Sequence, residues 1–528
     1  QELLGVEKVG RHDRFFELGG HSLMAVTLIE RLRQLGLSAD VRTVFTAPSL
    51  HELATALGHG NDHLFETPAN PIGADCTEIT PDMLPLVELN QSQIDRIVNH
   101  IPGGAANIQD VYPLVPLQQG ILFHHLLDQE GDAYLGRSVI EFEERATLNV
   151  FLETLQQVID RHDSLRTSVH WSGLPQPVQV VQRKARLTVN TLEFNGTDDI
   201  GLQLDRVTNP AQHRIDLGKA PLIRAYLAHD ADTGRWLLTL LDHHIINDNV
   251  SLMIVLDEIQ TIMSGKGAHL PEPQPYRDFV AQTLASPVEA HEAYFRSLLA
   301  DVDSPTAPFD VLDVQVDGSD FQNHSVELNE TLLAQLRVQA RSRGVLSAAI
   351  LHAAWAMVLA RCTSREDVVF GTVVSGRLQG GAGAEGAVGM FINTLPFRVQ
   401  LAGQTATTLI TQTHRDLSEL LGHEQSPLTT AQRCSGVSAP TPLFSALLNY
   451  RHSSAGAATD QEVTDQADQL WEGIEVRGGE ERTNYPLTLN VDDLGDGFKL
   501  TALVAGQADA QRVCAYMQAA LESLVEAL

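Results

Sequence analysis

The 528-residue sequence predicts a small all-α helical bundle followed by a large α/β domain built as two lobes. Three observations predict it. Residues 1–57 carry apolar side chains at helical spacing, as in Leu23, Val26, Leu28, Ile29 and Leu32. From about Gly58 to Asp82 the composition shifts to Gly, Asn, Thr, Pro and Asp without any period, which is linker chemistry. Beyond residue 110, β-rich runs alternate with helical ones, the mark of α/β organisation.

Taken in order, the first segment predicts three or four short helices, with Gly36 as a C-cap. A short helix over Gln91–His100 and the turn Pro102-Gly103-Gly104 lead to Val111-Tyr112-Pro113-Leu114, where a new globular unit begins. Its strands are expected over Trp236–Leu241 and Val368–Val374, and its helices over Val150–Arg161, Ser347–Arg361 and Ala510–Leu528. About 420 residues is large for one core, and the Pro-rich stretch Leu270–Pro275 predicts two lobes with a cleft between them.

Composition narrows the function. The chain carries 67 Asp and Glu against 36 Lys and Arg, a formal charge of −31 spread along its length. A phosphate-backbone partner needs a clustered basic face, so neither nucleic acid nor an anionic membrane is expected as a partner. The strongest apolar run, Val345–Ala360, is too short to span a bilayer comfortably and contains His352, so it reads as a buried helix. Cys76, Cys362, Cys434 and Cys514 show no paired spacing, which predicts neither a disulfide framework nor a zinc site and fits a reducing, cytoplasmic compartment. The chain opens on Gln1 without Met or a leader pattern, so it is expected to be a piece of something longer.

Two strings carry chemistry. In Asp13-Arg14-Phe15-Phe16-Glu17-Leu18-Gly19-Gly20-His21-Ser22-Leu23, two glycines and a serine stand just before an amphipathic helix. Serine there is ordinarily an N-cap. The whole string, however, resembles the attachment motif of peptidyl carrier domains of nonribosomal peptide synthetases. The resemblance implies that Ser22 carries a covalent 4'-phosphopantetheine. A hydroxyl at a helix N-terminus suits a phosphodiester, which the exposed amides and the helix dipole favour.

The second string, Asp242-His243-His244-Ile245-Ile246-Asn247-Asp248-Asn249-Val250-Ser251, follows an apolar strand. Neighbouring strand residues point to opposite faces, so His243 and His244 are not expected to share a metal, and no metal site is predicted. Another pair, His124-His125, lies on a helical pattern without the downstream Asp and reads as structural or surface. The string resembles the HHxxxDG motif of condensation domains, relatives of chloramphenicol acetyltransferase in which two lobes enclose a tunnel. Further likenesses follow in order: Tyr112–Gly120, Arg161–Thr167, Tyr276-Arg277-Asp278-Phe279, Ser375-Gly376-Arg377, Val388–Pro396 and His423–Leu428.

The resemblance implies a chloramphenicol acetyltransferase-like fold for the large domain and the following division: carrier 1–58, linker 59–109, first lobe 110–285, second lobe 286–528. It makes His244 the catalytic residue, either taking a proton from the attacking amine or steadying the tetrahedral intermediate. It makes Asp248 a structural residue paired with an arginine, Arg377 or Arg166, and His243 a support for its neighbour. The implied reaction joins a donor acyl or peptidyl thioester on the chain's own carrier to an aminoacyl thioester on a downstream acceptor carrier. An upstream adenylation domain and a phosphopantetheinyl transferase are further implied partners.

One position departs from the pattern, since Asn249 stands where the family has glycine. Either this is drift in a loop, or it marks a subgroup that dehydrates a seryl or threonyl donor to a dehydroamino acid. An epimerisation domain is a third reading. It fits Val250-Ser251 but not Leu252, where such domains carry Trp, nor Phe391-Ile392-Asn393-Thr394.

Overall fold

The computed structural model describes residues 1–528 apart from 5, 7, 16–17, 19–21, 36, 39–40, 48, 60–64, 128–130, 195–198, 313–320, 379–382, 453–472, 481–482, 496 and 507. Gly36 and the whole Gly-Gly-His string before Ser22 therefore lie outside the described residues. In chain order the strands are β1 Leu37–Ser38, β2 Gly58–His59, β3 Ile108–Pro113, β4 Leu135–Phe142, β5 Thr167–His170, β6 Val178–Gln182, β7 Thr188–Thr191, β8 Ile223–His229 and β9 Trp236–His243. They continue with β10 Phe321–Glu327, β11 Asp367–Val374, β12 Asn393–Gln400, β13 Ala446–His452, β14 Ile474–Glu480, β15 Leu487–Asp493 and β16 Phe498–Ala505.

The N-terminal unit consists of helices Ser22–Gln34, Val41–Thr46 and Leu50–Ala56, with β1 and β2 paired as a two-residue ribbon. Ala25 and Ile29, one helical turn apart, face Phe15, Val44, Phe45 and Leu53 in a small core. Ser49 caps the third helix, its hydroxyl accepting from the Glu52 amide at 3.2 Å.

The stretch expected as a linker, 59–109, is built into the first lobe over much of its length. Ile72, Ile79, Leu84, Val87 and Leu89 pack with the helix Gln91–His100 against Val178 and Val180 of β6. These side chains follow no period because most of them come from extended chain and single turns. The helix itself falls where its sequence places it, closed by a capping box between Asn90 and Gln93.

The first lobe centres on a sheet ordered β14-β4-β9-β8-β7, the second on one ordered β10-β16-β15-β13-β11-β12, and β3-β6-β5 form a third. Helices Arg145–Arg161 and Asn249–Met263 contribute Leu148, Leu155, Val158, Val255 and Ile259 to the first core. The run 345–360 is the buried helix expected of it: Ser347–Thr363 contributes Ile350, Leu351, Ala354, Trp355 and Leu359 to the second core. Among the described residues no single helix is long and apolar enough to cross a membrane.

Two segments cross the expected lobe border at 285/286. Strand β14 pairs antiparallel with β4 of the first lobe. Val388 and Met390 are buried in the first lobe's core although they belong to a second-lobe loop. The lobes are thus fastened by exchanged chain as well as by surface contact.

His352, inside that buried helix, holds the Ala348 carbonyl at 2.7 Å and Thr372 Oγ1 at 2.8 Å. Burial pushes its imidazole down to about 4. A histidine whose folded pKa lies below its unfolded value contributes stability that is lost as the unfolded chain takes up protons. Unfolding free energy is therefore expected to decline between pH 6.5 and about 4, and His352→Gln to flatten that part of the curve. Equal slopes for the two proteins, measured by urea titration across the window, would count against it.

Candidate active site

Strand β9 runs out at His243, and one 3-10 turn, His244–Ile246, leads to the helix Asn249–Met263. The alternation of a strand places the two histidines differently. His243 is fully buried, whereas His244 is half-buried. The peptide groups around His244 are pinned: its amide donates to the Tyr134 carbonyl at 2.9 Å, and the Ile245 carbonyl accepts from Gln118 Nε2 at 2.8 Å. Its ring takes no hydrogen bond among the described residues, so a rigid turn presents an uncommitted imidazole.

His243 is committed on both nitrogens. Nδ1 accepts the Ile245 amide at 3.1 Å, and Nε2 lies 3.0 Å from Asp132 Oδ2. The same oxygen is 2.6 Å from His125 Nδ1, and Asp132 Oδ1 accepts the Tyr134 amide at 2.9 Å. Burial pushes Asp132 up, but the hydrogen bonds from His125 and His243 outweigh it and hold the carboxyl well below the usual carboxylate range. Burial pushes the His243 imidazole down, against the attraction of Asp132. The outlying pair divides: His125 is buried in this network, while His124 Nε2 accepts from Asn484 Nδ2 at 3.1 Å.

Asp248 caps the following helix, accepting from the Ser251 amide at 2.8 Å. Arg377 Nη2 reaches its two oxygens at 3.0 and 3.3 Å, and the Phe391 amide adds a contact at 3.2 Å. Both ionic side chains are fully buried. The Ser251 hydroxyl adds a contact at 2.7 Å, so both oxygens of Asp248 are engaged by donors. Arg166, the other candidate partner, does not pair with Asp248. Its guanidinium serves Gln109 Oε1 at 3.0 Å and the carbonyl of Gln182, the last residue of β6.

Arg377 also donates to the carbonyls of Ala384 and Ala387 at 2.7 and 2.8 Å and lies 3.9 Å from the centre of the Phe391 ring. Ser251, three residues after Asp248, joins the same junction. Its hydroxyl accepts from the Gly389 amide at 3.0 Å and lies 2.8 Å from the Gly389 carbonyl. A Cβ on Gly389 would come within 2.2 Å of the Tyr276 ring, so only glycine permits this approach. Tyr276 packs edge-on against Phe391 and donates to the Met390 carbonyl, while Arg277 holds Asp110 through both carboxylate oxygens at 2.9 and 2.7 Å. Strings far apart in sequence thus meet at one seam between the lobes.

Next to that seam sits the N-terminal unit. Leu378, the residue after Arg377, is buried in its core with Val44 and Phe45, and Leu346 and Leu421 pack around it. Ser22 is the first residue of the 13-residue helix Ser22–Gln34. Asn249 is exposed at the first turn of its helix.

The profile of the condensation-domain family matches residues 108–527. The chain belongs to that family. A second profile, that of the phosphopantetheine attachment site, matches residues 1–57, so a phosphopantetheine-bearing carrier precedes the condensation domain, an arrangement of the nonribosomal peptide synthetase kind. Malpibaldin synthetase and malpinin synthetase of Mortierella alpina are 46% and 44% identical over the whole chain. A linear gramicidin synthase of Brevibacillus parabrevis is 32% identical over 78% of it. The chain spans 9%, 7% and 8% of the length of these three relatives.

Among solved structures, the condensation domain of the monacolin K polyketide synthase superposes with a TM-score of 0.61 at 16% identity, covering 80% of this chain and 98% of that one. The first condensation domain of the CDA synthetase gives 0.57 at 19% identity, covering 79% and 96%. At these identities the likeness establishes the two-lobed fold alone; that the domain is an acyltransferase-type enzyme follows from its family. The likeness assigns no residue.

Proposed function

We propose that His244 is the catalytic residue of amide formation and that the chain's own carrier delivers the donor through Ser22. The observation that carries this reading is the junction itself: one imidazole with a fixed backbone and a free ring, beside a seam on which the carrier's core already rests. A phosphopantetheine on Ser22 supplies a flexible thiol that holds the donor as a thioester; a helix N-terminus suits its phosphate.

The amine of the acceptor attacks the donor carbonyl, the new C–N bond forms, and the C–S bond breaks. His244 accepts the amine proton or donates a hydrogen bond to the oxyanion, and the proton ends on the departing thiol. Asp248, Arg377 and His243 hold the turn. The acceptor arrives on a downstream carrier; an upstream adenylation domain and a phosphopantetheinyl transferase complete the proposed partners. A cytoplasmic setting belongs to the same proposal, supported by four free thiols.

Incubated with a promiscuous phosphopantetheinyl transferase and an acyl-coenzyme A, the chain is expected to gain one acyl-phosphopantetheine by intact mass, and Ser22→Ala to gain none. Modification of the alanine variant would overturn the assignment. Asn249 supports a second reading, in which the donor loses its β-hydroxyl and α-proton as water. A seryl-loaded arm kept without acceptor then loses the mass of one water. An unchanged mass rejects dehydration, and solvent deuterium at the α-carbon without water loss indicates epimerisation instead.

A further inference from the structure

Asp132 and His125 belong to none of the strings that define the site, yet both are buried and both bear on His243. We infer that they are positioning residues that fix the tautomer of His243 and, through it, the turn that presents His244. This inference rests on the proposed role of His244.

The argument is one of proton placement. The Ile245 amide is a donor, so the His243 Nδ1 it meets at 3.1 Å is an acceptor without a proton. In the neutral ring the proton then sits on Nε2, which donates to Asp132 Oδ2. His125 Nδ1 donates to the same oxygen, and the Tyr134 amide to the other. Every donor in the chain faces an acceptor only because the group at its centre is a carboxylate. The three side chains also have the composition of a metal site; with N–O separations of 2.6 and 3.0 Å they stand as hydrogen-bonded pairs.

The backbone is arranged to hold that carboxylate in place. Gly131 has φ +72°, and a Cβ on it would lie 2.3 Å from the Ala211 carbonyl, so only glycine lets the chain turn here. The Asp132 amide donates to the Pro210 carbonyl at 2.9 Å, and the carbonyl of Tyr134, two residues on, accepts the His244 amide. One short loop therefore touches His243 by side chain and His244 by main chain.

Asp132→Asn tests this closely, because neither orientation of an amide satisfies the site. With its oxygen toward the histidines, its NH2 opposes the Tyr134 amide. Reversed, it asks His243 Nε2 to accept, which moves a proton to Nδ1 against the Ile245 amide. In the full chain labelled with 15N-histidine, long-range 1H–15N spectra at pH 7 should show His243, assigned by its loss in His243→Asn, as the neutral Nε2–H tautomer. Asp132→Asn should disturb that pattern, since a single amide oxygen can no longer face both histidines and the Tyr134 amide at once. A wild-type His243 protonated on Nδ1, or a folded Asp132→Asn protein with the tautomer unchanged, overturns the inference; the wild-type spectrum decides it even where the variant fails to fold.

Function gives an independent arm. With an alanyl-loaded Ser22 arm and glycyl-N-acetylcysteamine as acceptor, Asp132→Asn should lower kcat about 10–100-fold, the scale seen for outer partners of site histidines, with KM unchanged. His243→Asn keeps an acceptor near the Nδ1 position but severs Asp132, so adding Asp132→Asn to it should cost less than about 2-fold more if the two act as one unit. Multiplying losses overturn the inference. Should His244→Ala also leave this turnover intact, the catalytic reading of His244 fails while the tautomer result stands.

Discussion

His244→Ala is expected to lower the rate of amide formation by about 10²- to 10⁴-fold, the range for loss of a positioned proton-transfer group. Its thermal midpoint should stay close to that of the parent, because the half-buried ring has no hydrogen bond to lose among the described residues. A side chain that carries function and little stability behaves oppositely to its neighbour. His243→Ala removes a fully buried ring, leaves the Ile245 amide without its acceptor and takes one donor from Asp132, so it should depress stability as well as rate. Single-turnover rates from a loaded Ser22 arm, paired with thermal denaturation of the same samples, separate the two effects. Retained turnover in His244→Ala would end its candidacy.

The sequence made some of this legible and hid the rest for identifiable reasons. Local signals served well: the short helix expected over Gln91–His100 forms there, and strand alternation separated the two histidines. The pairing of Asp248 with an arginine was legible, but its identity was not. Arg377 and Arg166 both stand in characteristic strings, and only the fold takes Arg166 to β6 and Arg377 to the seam. Asp132 gave no signal. It lies 111 residues before His243, in a loop without period, and its role follows from two strands meeting. Gly131 and the buried half of the His124-His125 pair were the nearest clues, and each has a common local explanation. The apolar residues of 72–89 failed to register as packed structure because extended segments tied down by tertiary contacts leave no rhythm to read.

The seam between the lobes yields the other large effect. Arg377→Ala leaves Asp248 charged, buried and unpaired, and strips the Ala384 and Ala387 carbonyls of their donor. Breaking a buried pair from one side costs about 3–5 kcal/mol, more than the pair contributes net, because the residual charge has lost its compensation without regaining water. Arg377→Lys restores the charge but neither the planar fork nor the contact with the Phe391 ring, and should recover less than half of the loss. Asp248→Asn keeps a helix cap while removing the charge, so combining it with Arg377→Ala should be milder than the sum of the two changes, with a coupling of about 0.5–3 kcal/mol in urea unfolding. Additive losses, or an Arg377→Ala cost below about 1 kcal/mol, would show that the pair is not the fastening it is taken for. Because His244 stands four residues before Asp248 and the carrier's core rests on Leu378, one residue after Arg377, both should loosen with this pair. Turnover is then expected to fall further than the unfolded fraction explains, through misplacement of a turn whose own residues remain intact.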